Sequence, residues 1–143
     1  MRWSGNGFIL GLKTHNETSY ILDVFTEEHG RHKGLIRGIH SKNLRAVIEP
    51  GNEVKINWSG RLESHLGNYT VEPVKLWSSY ILNQKVNLHG VSSLCSLIMT
   101  TMVEKQENQY LYDKSLNLLK DISQNKEEWI KNYIFWEIDL LSD

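Results

Sequence analysis

Cysteine is almost missing. Cys95 is the only one in 143 residues, which excludes an intramolecular disulfide and any multi-cysteine zinc site within this chain. No apolar run is long enough to span a bilayer, and Ser4, Gly5, Asn6 and Gly7 interrupt the start of the chain where a signal-peptide core would lie. A soluble cytoplasmic protein is the expectation. Charge of one sign is lacking too. Residues 1 to 80 hold 10 Lys and Arg against 8 Asp and Glu, and residues 81 to 143 hold 6 against 9. Bulk attraction to a polyanion is therefore not expected, so any nucleic-acid site must be a local patch. Gly30, Gly34 and Gly38 recur without the Gly-Lys-Ser/Thr ending of a phosphate loop, and the serines lack an elbow motif. Catalysis has no support, and no cofactor is expected.

What is present divides at about residue 80. Residues 1 to 77 read as short β-rich segments between polar turns: FILGLK, SYILDVFT, HKGLIRGI, EVKINWSG and LGNYTVEPVKLW. In the fourth, Lys55, Asn57 and Ser59 alternate with Val54, Ile56 and Trp58, the pattern of a strand with one wet face. Trp58 is in phase with the apolar set and belongs to the core. Five short strands containing glycines point to a small closed barrel. Beyond Leu76 the period becomes helical. Leu94, Leu97, Ile98, Thr101 and Met102 share a face, as do Tyr112, Leu116, Leu119 and Ser123. The last segment, Trp129 to Leu141, is apolar almost all round, so it is either buried centrally or shaped for a partner surface. The fold class is α+β: a five-stranded barrel over residues 1–80, then a helical domain over 81–143.

One stretch stands apart. From Glu28 to Arg45 the chain reads EHGRHKGLIRGIHSKNLR, with Arg31, Lys33, Arg37, Lys42 and Arg45 against one acid. Taken as a solvated surface, such a run means nothing. Its spacing says more. Arg31, Lys33 and Arg37 occupy odd positions and project to one face of a regular strand, unless Gly34-Leu35 forms a bulge. Lys42 and Arg45 follow in an adjoining loop. Such a stripe can track a phosphate backbone. His29, His32 and His40 sit among the cations, but a His-x-x-His pair without further ligands is poor metal chemistry, and no metal is expected.

The run from Asn16 to Arg45 resembles the N-terminal region of the RecO family of DNA repair proteins. The matching features are Glu17-Thr18, the strand Tyr20 to Phe25, Thr26 with Gly30-Arg31, Lys33, and Gly38 with Ser41-Lys42. Trp3 and Phe8-Ile9-Leu10 fit the family's first strand, Ile48-Glu49-Pro50-Gly51 and Trp58 its later part, and Trp136 to Leu141 one of its helices. The resemblance implies an OB-fold barrel, a helical domain and then a cysteine-bearing zinc module. It also implies a binding protein, not an enzyme: one that binds single- and double-stranded DNA and anneals strands coated with single-strand-binding protein. With RecR it would help load RecA, and it would act in the cytoplasm at the nucleoid. The DNA-binding residues it points to are Arg31, Lys33, Arg37, His40, Ser41, Lys42 and Arg45. His40 stands where many members have Arg or Lys, which makes that contact depend on pH or removes it. The family continues past Asp143, so the chain is expected to be a fragment or the product of a shortened gene. The rival expectation is an interaction module, with a structural barrel and a partner docked on the apolar last helix.

Overall fold

A computed structural model describes residues 1–142, apart from the side chain of Lys42. Five strands, β1 (Arg2–Thr14), β2 (Ser19–Thr26), β3 (Gly30–Arg37), β4 (Glu53–Ser59) and β5 (Asn68–Lys75), close into a barrel in the order β1-β2-β3-β5-β4. The closure is a parallel contact between β3 and β5, where Leu35 pairs with Asn68. This five-stranded ring, followed by helices, is the expected α+β layout, and the OB-fold fits its barrel.

β1 makes closure possible. Residues 2–8 pair with β4 and residues 7–14 with β2, with a register shift between Ile9 and Gly11. A bulge bends a strand and raises its twist, so one strand can serve both sides of the barrel. No bulge forms at Gly34-Leu35; β3 pairs with β2 in unbroken register from Gly30 to Arg37. Side-chain chemistry sets the tight turns. Asn16 Oδ1 accepts from the backbone N–H groups of Thr18 and Ser19, both at 2.9 Å. The Thr26 hydroxyl donates to the Gly30 carbonyl and accepts from His29 N–H. Between β3 and β4 the expected loop contains a short helix, α1 (Lys42–Val47), capped by the Ser41 hydroxyl accepting from Leu44 N–H. Val47 and Ile48 from this segment plug the end of the barrel core.

Helices α2 (Lys85–Thr101), α3 (Gln109–Ser123) and α4 (Trp129–Ser142) follow a single 3-10 turn at Trp77–Tyr80. They do not build a core alone. Phe8, Leu10 and Phe25 point out of the barrel into the same apolar cluster as Leu94, Ile98, Leu119 and Trp136, while Ile9 points into the barrel. Phe8-Ile9-Leu10 is therefore apolar without alternation because both of its faces are buried, while Leu12 beyond it is exposed. Cys95 belongs to this layer, packed with its thiol toward the Ile9 carbonyl, and burial pushes the thiol's pKa up to about 12. Asn87 Nδ2 donates to the Ile122 carbonyl at 2.8 Å, and Trp136 Nε1 donates to Ser115 Oγ at 2.8 Å, so these two buried side chains are paired. Among the described residues, no helix is long and apolar enough to cross a membrane.

Two of the glycines in the basic stretch are packing sites. A Cβ on Gly34 would lie 2.8 Å from the Tyr69 ring, and one on Gly30, at φ +65°, would lie 2.3 Å from the Gln106 carbonyl oxygen. The Tyr69 ring crosses the barrel through the space that Gly34 leaves. Gly34→Ala is therefore expected to lower stability by about 1–3 kcal/mol, the usual range for overpacking. Thermal unfolding of the variant beside the wild type measures it, and an unchanged midpoint would mean the ring can move aside.

Candidate nucleic-acid interface

β3 alternates as its sequence predicts. His32, Gly34 and Ile36 point inward and are buried, while Arg31, Lys33, Leu35 and Arg37 point outward. The three strand cations do share a face, but they do not share an environment. The connection from α2 to α3 runs across the start of β3: the backbones of Arg31 and Glu104 lie side by side in a single parallel pairing, and Lys105 N–H donates to the Arg31 carbonyl at 2.7 Å. Under it, the Arg31 guanidinium contacts Asp23 through Nη2 at 2.8 Å and through Nε at 3.2 Å, and Nη1 donates to the Met102 carbonyl at 3.0 Å. Only 12% of the Arg31 side chain is exposed. Burial raises the Asp23 carboxyl's pKa, and the Arg31 hydrogen bond and charge pull the other way. Arg31 thus joins β2, β3 and the α2–α3 connection. Lys33, half-buried, has Glu104 Oε2 at 3.9 Å.

Arg37, His40, Ser41 and Arg45 are exposed at the other end of β3 and around α1. Gly38, at φ +75°, turns the chain there, and Ser41 N–H donates to its carbonyl. The Ser41 hydroxyl already accepts a capping bond, although it keeps its own proton to donate. The side chain of Lys42 lies outside the described residues.

The groove beside this end was not anticipated. The outer faces of β1, β4 and β5 form a trough of about 540 Å³, where Arg2, Ser4, Asn57, Ser59, Asn68 and Thr70 line the walls together with Trp3 and Trp58. It continues past Arg2 toward Arg61 and His65. Arg2 and Arg61 are exposed, with no ion pair among the described residues. The outward residue Leu35 pairs with Asn68, so the trough's β5 edge adjoins the row that ends in Arg37. The wet-face alternation of Asn57 and Ser59 was legible in the sequence. The barrel closure that sets Arg2 beside Arg61 and the end of β3 was not.

The zinc ligands implied by the resemblance have no counterpart among the described residues. Cys95 is buried in the helical layer, and among the described residues no three His, Cys, Asp or Glu side chains are placed to hold a metal ion. On α4, Trp129, Tyr133, Trp136 and Leu140 pack inward. Ile130, Ile134, Phe135, Ile138 and Leu141 face away from that core, and each is more than half exposed.

Comparison with known proteins places these features in a family setting. The sequence matches the family described as recombination protein O N terminal over residues 1–77, and recombination protein O C terminal over residues 84–143. It is 35% identical to a DNA repair protein RecO of Ruegeria sp. (strain TM1040), covering 100% of this chain and 59% of that protein. It is 32% identical to one of Cereibacter sphaeroides (strain ATCC 17029 / ATH 2.4.9), with the same coverage. A third, of Sinorhizobium medicae (strain WSM419), is 34% identical over 100% of this chain and 57% of that protein. The chain thus spans less than two thirds of the length of these curated relatives.

Proposed function

This chain belongs to the recombination protein O family, and on that premise we propose that it is a DNA-binding recombination mediator in DNA repair. It binds single- and double-stranded DNA through the barrel's outer surface. It anneals strands coated with single-strand-binding protein, assists RecA loading together with RecR, and has no turnover of its own. The finer steps rest on the family resemblance. The observation that carries DNA binding is the trough, where hydrogen-bonding side chains lie between the exposed cations Arg2 and Arg61 on one side and the row ending in Arg37 on the other. Cations along a groove track phosphates, and Asn, Ser and Thr side chains donate to them without reading sequence. Of the strand cations, Arg37 is the open phosphate contact, extended by Arg45, His40, Ser41 and Lys42 at α1. Lys33 becomes available when Glu104 releases it. Arg31 holds the fold beneath them.

Replacing Arg2, Arg37 and Arg61 together by Ala should weaken single-strand binding and reduce the log-log salt slope by about 2, at about 0.7 per phosphate charge neutralised. Fluorescence anisotropy with a labelled oligonucleotide across a salt series measures both. An unchanged slope would remove the trough from the binding surface.

The α4 face supports a second reading, in which the chain docks a partner there, namely a second copy of itself. Five large apolar side chains on one face form a patch of several hundred Å², on the scale of an association surface and a large part of one side of a standard dimer interface. Sedimentation should then show a concentration-dependent dimer that an Ile134→Glu, Phe135→Glu variant lacks and that added salt does not dissolve. A monomer throughout would exclude this reading.

A further inference from the structure

At the other end of the barrel from α1, a cavity of about 170 Å³ opens between β1, β3, the β2–β3 turn and the β4–β5 loop. That is well below the size of a pocket for a drug-sized ligand, and suits one small ring system. Its walls are planar rings. The Trp3 indole stacks on His29 with centroids 3.9 Å apart and lies 6.0 Å from Trp58 at an interplanar angle of 23°. His32 stands edge-on to both indoles. Trp58 is fixed from behind, its Nε1 donating to the Leu66 carbonyl at 2.9 Å.

The polar groups are as specific as the walls. His32 is 4% exposed, and its Nδ1 is 2.5 Å from the Tyr69 hydroxyl. Buried and with no other partner among the described residues, that hydroxyl satisfies its proton best by donating to Nδ1, and we assign this tautomer. The imidazole's own proton then sits on Nε2, which has no partner among the described residues. Burial keeps this ring neutral, with a pKa held down at about 4, so Nε2 stays a single directed donor near neutral pH. Lys105 adds a second donor. Its backbone is held at φ +64°, and its Nζ donates to the Glu63 carbonyl at 2.5 Å with two protons left over. Glu28 and Glu63 supply carboxylates at the rim. Two carboxylates repel a phosphate; what they accept is N–H.

We propose that this cavity receives a single unstacked nucleobase from a bound strand, and that guanine fits it best. Guanine's N1–H and N2–H₂ form an adjacent donor pair for a carboxylate, while its O6 and N7 accept from Lys105 and His32. Adenine and cytosine offer an amino group without the neighbouring N–H. Thymine offers a lone N3–H between two carbonyls. Stacking on the indole wall serves any base, and the rim sets the preference. The proposal rests on the DNA-binding reading above and adds a base-reading site to it.

The test is competition binding with short oligo-dT carrying T, dA, dC or dG at one central position. The dG strand should bind roughly tenfold more tightly than the all-T strand, the scale of one good bidentate base contact. In a Glu28→Gln, Glu63→Gln variant the four strands should bind alike, and in Trp3→Ala the dG advantage should also vanish. Equal binding of all four strands by the wild type, or a dG preference that survives the Gln pair, overturns the base pocket. Salt-dependent binding of the all-T strand would in either case leave the DNA-binding reading standing. If no strand binds at any salt concentration, both readings fail.

Discussion

Replacing Arg31 by Ala is expected to destabilise the protein by about 3–5 kcal/mol, the cost of removing one partner of a buried ion pair and leaving the other charge unpaired. Both side chains are nearly sealed, at 12% exposure for Arg31 and 9% for Asp23. Loss of the bond to the Met102 carbonyl also frees the α2–α3 connection from β3. The pair itself is a weak source of net stability, because ordering and dehydrating two ions offsets most of their attraction. An Asp23→Leu, Arg31→Leu double variant should therefore lose much less than Arg31→Ala alone. Urea unfolding of the three proteins measures both effects. If Arg31→Ala unfolds like the wild type but binds DNA more weakly, Arg31 is a phosphate contact after all, and the assignment of Arg31 to the fold is wrong.

Acid should loosen the barrel through His32. In the folded protein the imidazole's pKa is about 4 against an ordinary 6.5, chiefly because of burial, with Lys105 and then His29 adding like charge. The unfolded chain therefore binds more protons between those two values. This contribution to stability is complete above pH 6.5 and lost as pH falls toward 4, a total of roughly 3 kcal/mol at 1.36 kcal/mol per pKa unit. A His32→Gln variant should be less stable at neutral pH, yet flatter between pH 6.5 and 4. A wild-type profile that stays flat over that interval would show that the ring can reach water.

Periodicity made much of the fold legible, and the misreadings have identifiable physical causes. The strand Glu53–Ser59 announced its wet and dry faces because one side of it meets water. The strand Gly30–Arg37 showed its cations on one face for the same reason. Which cations are free depends on residues some seventy positions away, since Met102 and Glu104 lie over Arg31 and Lys33. No local pattern encodes that. The short helix α1 was read as loop because six residues carry too little period to register, although its Ser41 cap was visible. The glycines in the strands pointed to barrel closure but could not show what fills the space beside each. At Gly34 the space belongs to Tyr69. Trp129 and Trp136, the bulkiest residues of α4, face the core, and the exposed stripe is aliphatic with Phe135. A helix apolar on nearly every side cannot declare which side faces in.

The most direct test of the proposed DNA-binding surface is a heteronuclear NMR titration of the protein with an unlabelled single-stranded oligonucleotide. Contact along the trough predicts the largest shifts at the amides of Arg2, Ser4, Asn57, Asn68 and Thr70, continuing to Arg37 and the residues around α1, and fading as salt is added. Shifts confined to Ile130, Ile134 and Ile138 on α4, or none across β4 and β5, would contradict it.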